Sequence, residues 1–180
     1  AYSNVWVAVC QPVGAGGGIE LALVLAMWVA MTFAMMLPTA GPMLLTYAEI
    51  ADTAARKREP VASPLLLAAG YLAVWLGFAG VATALQLVLT QFALLDAGRA
   101  APWLAAALLA SAGLYQFSKL KHACLSMCQR PFPFFFANWT AEPRGVVRLG
   151  LRQGLYCLGC CWAIMLLMFA AGAMNVIWMA

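Results

Sequence analysis

Five cysteines stand in two short stretches of an otherwise apolar chain. Cys124 and Cys128 form the first stretch, and Cys157, Cys160 and Cys161 form the second, about thirty residues later. Thiols that cluster in this way bind a soft metal or carry out thiol–disulfide chemistry. Residues three or four apart on a helix share one face, with β-carbons about 5–6 Å apart. Each stretch therefore offers its thiols on one side of a helix.

The two stretches together predict a closed metal site. Sulfur ligands about 2.3 Å from a tetrahedral metal lie near 4 Å from one another, a spacing that side-chain rotation can supply. Copper(I) is the first candidate and zinc the second, since both are bound by thiolates. At least one thiol would be spare in a four-coordinate site. The predicted ligands are Cys124, Cys128, Cys157, Cys160 and Cys161.

The two cysteine stretches are expected at different depths in the membrane, which argues against a single site. At 1.5 Å per residue, straight helices would leave the two groups of thiols about 15 Å apart along the membrane normal. They meet only if the membrane boundary lies lower or if the chain folds back after Lys121. Two separate sites are the alternative.

Three further residues are possible secondary ligands. Met165 and Met168 share a helical stripe with Cys157, and thioether sulfur suits copper(I). Methionine also fills irregular apolar gaps, which is the simpler explanation of these two residues. His122 is the only histidine, but it points to the side of a helix opposite Cys124. It could act as a ligand only if the helix were broken there.

The composition predicts an integral membrane protein. The chain is 66% hydrophobic and 9% charged, whereas a soluble domain has roughly 45–50% apolar and about 25% charged residues. We expect the lipid bilayer, and possible membrane subunits of a complex, as partners. We expect no nucleic acid, because the basic residues lie beside apolar runs. No Ser–His–Asp set or intramembrane carboxylate pair indicates an enzyme.

The apolar runs predict an all-α polytopic transmembrane bundle with four visible spans. A spanning helix needs about 20 mostly apolar residues. Pro38 and Pro42 are expected to end or kink the first helix. We treat 1–180 as one integral membrane domain and expect it to belong to a longer chain. The predicted helices cover about 19–47, 64–95, 100–121 and 148–176.

An aromatic segment at 131–139 separates the last two predicted helices. Its five aromatic residues are typical of an interfacial anchor in the lipid headgroup layer. A platform for an aromatic ligand is the alternative.

The basic residues predict the orientation of the protein. All but one of the 10 lysines and arginines flank the same ends of the predicted spans, and the positive-inside rule places that side in the cytoplasm. We therefore expect a bacterial inner-membrane protein with cytoplasmic basic loops. Both cysteine stretches would lie at that face, where thiols stay reduced. Only Arg99 lies on the other side.

Three strings of residues carry a resemblance to a known family. They are Ala34-Met35-Met36-Leu37-Pro38 with Pro42, Lys121 with Cys124-Leu125 and Cys128, and Gly150 and Gly154 before Cys157-Leu158-Gly159-Cys160-Cys161-Trp162 with Met165. Through them the chain, from about Met27 to Met179, resembles a bacterial family of unknown function described as predicted metal-binding integral membrane proteins. The resemblance implies a helical inner-membrane protein with a cysteine metal site. It implies no particular reaction.

Three functions remain open from the sequence. The favoured one is binding or handling of copper or zinc by the cysteines at the cytoplasmic face. The second is a membrane dithiol that exchanges electrons with a partner through Cys157 and Cys160. The third is a structural or accessory subunit of a larger membrane complex.

Overall fold

The computed structural model describes residues 18–92, 95–96 and 99–171. Over these residues the chain forms six α-helices and one two-stranded ladder, so the predicted all-α class is confirmed. The strands β1 and β2 pair antiparallel, with Leu95 opposite Ala100 and Asp96 opposite Arg99. The elements are α1 Gly18–Arg56, α2 Pro64–Gln91, β1 Leu95–Asp96, β2 Arg99–Ala100, α3 Pro102–Gln116, α4 Lys119–Gln129, α5 Pro131–Ala137 and α6 Pro143–Ala171.

Three helices in the described part of the chain are long and apolar enough to cross a membrane, where the sequence predicts four. Their spanning parts are Leu21–Arg56, Pro64–Gln91 and Pro143–Leu167. The third predicted helix, at about 100–121, is instead two helices, α3 and α4. With 15 residues, α3 is about 22 Å long, less than the roughly 30 Å of a hydrocarbon core.

A tight turn separates α3 from α4. The Phe117 N–H bonds to the Leu114 carbonyl, and the Ser118 N–H bonds to the Tyr115 carbonyl. These three-residue steps tighten the last turn of the helix and end its regular pattern of hydrogen bonds. The apolar run ends at Phe117, and the polar residues Ser118, Lys119 and Lys121 that follow are the sign in the sequence that a break lies here.

Helix α1 extends nine residues beyond its predicted end near residue 47 and contains both Pro38 and Pro42. Each proline removes one backbone donor, but the helix continues to Arg56. It ends in a Schellman motif, in which the Glu59 N–H bonds to the Ala54 carbonyl and Arg58 has φ 59°.

Proline marks the start of four of these helices. Pro64, Pro102, Pro131 and Pro143 each occupy a first helical position, where a backbone N–H would have no intrahelical partner. Just before α2, the Ser63 hydroxyl accepts a bond from the Leu65 N–H at 3.3 Å. The sequence therefore encodes these helix starts locally.

The described residues divide into two compact units. Among the described residues, the first unit comprises 18–29, the described parts of 79–118, and 161–171, and the second comprises Ala30–Phe78 and Lys119–Cys160. Within the first unit, the Trp28 indole N–H donates to the Gln86 side-chain oxygen at 2.8 Å. The prediction of a single membrane domain stays a prediction.

A glycine seam joins α2 and α6 within the second unit. A methyl group at Gly70 would lie 2.9 Å from the Leu151 nitrogen, and one at Gly150 would lie 3.1 Å from the Tyr71 nitrogen. One at Gly154 would lie 3.1 Å from the Tyr71 carbonyl oxygen. The two backbones therefore touch, as small residues four apart allow in membrane helices.

The aromatic segment packs into the second unit. Phe135 is fully buried, and its ring lies 5.7 Å from that of Tyr47 on α1. Phe134 packs edge-on against Tyr156 of α6, while Phe136 remains 71% exposed. Only part of the segment is thus free to contact a headgroup layer, and its predicted interfacial position stays a prediction.

The seam gives a direct test of helix packing. Gly70→Ala should lower the stability of the second unit by about 1–3 kcal/mol, because the added methyl group overlaps the α6 backbone. Gly77→Ala is the matched control on the same helix. A methyl group there meets no described atom within 4 Å, so the change should be neutral or stabilising by about 1 kcal/mol or less. Thermal unfolding in detergent compares the two, and equal midpoints would contradict the seam.

Candidate metal centre

One face of α6 carries the polar and sulfur groups of the candidate site. Gln153, Cys157 and Cys160 follow one another at four- and three-residue steps, so they lie along the same side of the helix. Cys157 and Cys160 are each 3% exposed. Leu155, on another side of α6, is 57% exposed.

The second unit brings three thiols together. The Sγ atoms of Cys128 on α4 and of Cys157 and Cys160 on α6 all lie within 4.8 Å of one another. We call these residues the thiol triad. Sulfur atoms around one metal lie near 4 Å apart, so a small rotation of each side chain suffices. Both cysteine stretches thus contribute to one group. The expected separation of the two stretches along the membrane normal assumed one straight helix through Cys124, whereas a new helix begins at Lys119.

Cys124 lies beside the thiol triad without belonging to it. Its sulfur packs against Gly159 so closely that a β-carbon there would lie 2.7 Å away. His122 is exposed on the unbroken helix α4, so the break that would turn it toward Cys124 does not occur.

The remaining predicted ligands fall outside the second unit. Cys161 is half-buried, Met165 is fully buried, and both belong to the first unit. The side chain of Met168 lies outside the described residues. The ligand roles of these residues, and of Cys124, stay predictions.

Gln153 connects α4 to α6 and was missed by the sequence reasoning. Its side-chain nitrogen donates to the Cys128 carbonyl oxygen at 3.4 Å. That carbonyl belongs to the last turn of α4, where helical partners run out. Gln153 is 2% exposed, and its side-chain oxygen has no hydrogen-bond partner among the described atoms. A buried glutamine one turn before Cys157 in an apolar helix is the signal that could have identified it.

Tyr71 is the second residue that the sequence reasoning missed. This α2 side chain is 2% exposed, and its hydroxyl oxygen lies 3.2 Å from the Cys157 sulfur. The same hydroxyl donates to the Met36 carbonyl at 3.3 Å. Tyr71 and Cys157 are 86 residues apart, so no local pattern could have linked them.

The donor set suits a soft, thiophilic ion. The triad offers three sulfur atoms on two helices, two of them on residues almost fully removed from solvent. Thiolate ligands favour copper(I), zinc and iron–sulfur clusters, whereas magnesium and calcium require oxygen. Three sulfur donors also suffice for a three-coordinate ion, while a tetrahedral zinc site would need a fourth donor. The three sulfur donors therefore suit a soft ion such as copper or zinc.

Comparison with protein families agrees with this chemistry. Residues 25–180 match the sequence model of the family described as PpoB2, copper chaperone. The chain belongs to this family. No curated protein and no solved structure matches the chain.

Membership of the PpoB2 family refines the resemblance noted from the sequence. The family description names copper, which agrees with the expected link to a metal. It does not mention a membrane, and the string Ala34–Pro38 stays a predicted signature. The cysteine group and the family description together support metal handling by this chain.

The contact between Cys124 and Gly159 gives a test of how α4 is held. Gly159→Ala should weaken copper binding severalfold, because the methyl group displaces the Cys124 sulfur and shifts the helix that carries Cys128. The double variant Gly159→Ala/Cys124→Ala should recover most of the affinity, since the clashing sulfur is gone. Cys124→Ala alone is the control. Competition against a copper(I) chelator measures all three.

A large loss of affinity in Cys124→Ala would show instead that Cys124 is itself a ligand. That result would restore the wider set of cysteines predicted from the sequence.

Proposed function

We propose that this chain binds copper(I) as cargo through Cys128, Cys157 and Cys160 and hands it to a partner. It does so from the cytoplasmic side of a bacterial inner membrane. The observation that carries the proposal is the approach of three sulfur atoms to within 4.8 Å of one another, in a chain of the PpoB2 copper chaperone family. Zinc is the second candidate ion, because it also binds thiolates but prefers four donors.

The distribution of charge supports the cytoplasmic position of the site. Every basic residue that the positive-inside rule assigns to the cytoplasm belongs to the second unit, as does the whole thiol triad. These residues are Arg56, Lys57, Arg58, Lys119, Lys121, Arg130, Arg144, Arg148 and Arg152. Reduced thiols persist in the cytoplasm, and thiolate is the form that binds copper.

The membrane role rests on the three apolar helices that are long enough to span a bilayer. A carrier held in the membrane would receive or deliver copper at the membrane surface. In this proposal the lipid bilayer is the constant partner, and a protein that accepts copper is the transient one.

Metal content tests the function directly. Protein purified anaerobically in detergent should carry about one copper ion per chain, and Cys128→Ser or Cys160→Ser should remove most of it, because each deletes one of three sulfur donors. Cys161→Ser is the matched control. This residue directly follows Cys160 in sequence, but its sulfur is not among the three that lie within 4.8 Å of one another, so copper should stay bound. Elemental analysis with thiol counting under denaturing conditions measures each variant.

Other results would favour the alternatives. Absence of copper together with a reversible Cys157–Cys160 disulfide would indicate a membrane dithiol. Absence of both, with stable co-purification of other membrane chains, would indicate an accessory subunit. One zinc ion that copper(I) does not displace would make zinc the cargo.

Reporter fusions test the orientation. A fluorescent protein that folds only in the cytoplasm should be bright when fused after Glu59, in the loop between α1 and α2. A phosphatase that is active only outside the cytoplasm should be active when fused after Gly98. Both expectations follow from the positive-inside rule, and they require α3, whose 15 residues are short for a span, to carry the chain back across the membrane before Lys119. The opposite pattern would put the thiol triad on the outer side and contradict the proposed location.

A further inference from the structure

The Tyr71 hydroxyl makes two hydrogen-bond contacts, and the side chains of Thr39 and Trp75 also lie near it. It lies 3.2 Å from the Cys157 sulfur and 3.3 Å from the Met36 carbonyl oxygen. A phenol has one hydrogen to donate, and the carbonyl can only accept it. With that bond made, the contact to Cys157 is attractive only if the thiol donates its own hydrogen to the phenol oxygen. The hydrogen-bond chain therefore runs from Cys157 through Tyr71 to Met36.

Binding of a metal changes Cys157 from a hydrogen-bond donor to a hydrogen-bond acceptor. A sulfur atom that holds copper has given up its proton, so it can accept hydrogen bonds but not donate them. The phenol oxygen and the sulfur would then face each other as two acceptors in a buried site. The contact becomes attractive again if the Tyr71 hydrogen turns from the carbonyl to the sulfur.

The Met36 carbonyl can release Tyr71 at little cost. The Thr39 hydroxyl also donates to this carbonyl, at 2.8 Å. The carbonyl therefore keeps a partner after Tyr71 turns away, and no buried acceptor is left unsatisfied. The shorter of its two side-chain bonds is the one that remains.

The backbone around Tyr71 keeps the phenol in place during this change. Its nitrogen and its carbonyl oxygen lie against Gly150 and Gly154, where a methyl group on either glycine would come within 3.1 Å. The ring itself is 2% exposed. Only the hydroxyl hydrogen has to move, by rotation about one bond.

We propose that Tyr71 is a positioning residue for copper: its hydroxyl turns from the Met36 carbonyl to the Cys157 sulfur when that sulfur holds the ion. The bond stabilises the negative charge on sulfur and fixes the direction of the third donor. This inference rests on the proposed function, because it requires Cys157 to be a copper ligand.

Tyr71→Phe is the first test, made on the whole chain in detergent with copper(I) as the ligand. Its copper affinity should fall about tenfold or more, since a hydrogen bond to a charged acceptor is lost. The ultraviolet thiolate-to-copper charge-transfer band should move to longer wavelength, because a sulfur without its donor is easier to oxidise. Tyr47→Phe is the matched control. It removes another buried phenol that donates to a carbonyl, that of Ala62 at 3.2 Å, and it should leave affinity and band unchanged.

Thr39→Val supplies the second test and keeps Tyr71 in place. Without the threonine hydroxyl, release of the Met36 carbonyl costs more, so copper affinity should fall by about threefold. In the Tyr71→Phe background the same change should have no further effect on affinity, because there is no hydroxyl left to turn. Such non-additivity is what a shared hydrogen-bond network predicts.

The outcomes separate this inference from the proposed function. Wild-type protein that binds copper, together with Tyr71→Phe of equal affinity and an unchanged band, would overturn the role of Tyr71 and leave the copper function intact. Additive losses in the two variants with an unchanged band would also overturn it, since they indicate a purely structural role. If Tyr71→Phe does not fold, an unchanged copper affinity in Thr39→Val would overturn it. Wild-type protein that binds no copper would overturn both proposals.

Discussion

The contact between the backbones of α2 and α6 is the constraint on which the candidate site depends. Where Gly70 and Gly150 stand, the backbone of each helix lies directly against the other, and at Gly154 the α6 backbone packs against the Val74 side chain and the Tyr71 carbonyl oxygen. Apolar side chains gain little from association inside a bilayer, because lipid tails are equally apolar, so close backbone packing supplies the attraction instead. That packing fixes Tyr71 on one helix relative to Cys157 on the other. A larger residue at one of these glycines would push the two helices apart. The contact between Tyr71 and Cys157, which are 86 residues apart in sequence, would then be lost.

Charge is the main cost of holding copper(I) in such a place. Three thiolates and one monovalent ion carry a net charge of about −2, which is expensive to bury in a medium of low dielectric constant. Zinc would reduce that charge by one unit, so charge alone favours zinc. Hydrogen-bond donors placed next to sulfur reduce the cost for copper. The structure offers one such group at the Tyr71 hydroxyl, and outer partners of this kind commonly tune metal sites.

The sequence predicted which side chains carry the chemistry better than it predicted how the fold arranges them. The spacing of Cys157 and Cys160 predicts a shared helix face, because this depends only on helical periodicity. The all-α class follows from composition in the same way. The break at Phe117 was not predicted, although the polar pair Ser118-Lys119 follows it, because the turn itself is closed by backbone bonds that depend on no side chain. Nor could the approach of the Cys128 sulfur, rather than that of Cys124, to Cys157 and Cys160 be predicted, because it depends on how α4 lies against Gly159. The contact of Tyr71 with Cys157 could not be predicted either, because it depends on the tertiary packing of two helices.

The three cysteines of the triad are not held equally, and this difference bears on the proposed release of copper. Cys157 and Cys160 stand on α6, a helix of 29 residues that is locked to α2. Cys128 stands on α4, which has 11 residues, a length at which an isolated helix is marginally stable. Two of the contacts that hold α4 are the packing of Cys124 on Gly159 and a bond of 3.4 Å from Gln153 to the Cys128 carbonyl. That bond is longer than the usual 2.7–3.2 Å or so and correspondingly weak. Elements of low local stability are where proteins open first. In the proposed function, exchange of copper with a partner would therefore begin at Cys128, while the two sulfur atoms on α6 would keep the ion bound until the partner supplied its own ligand.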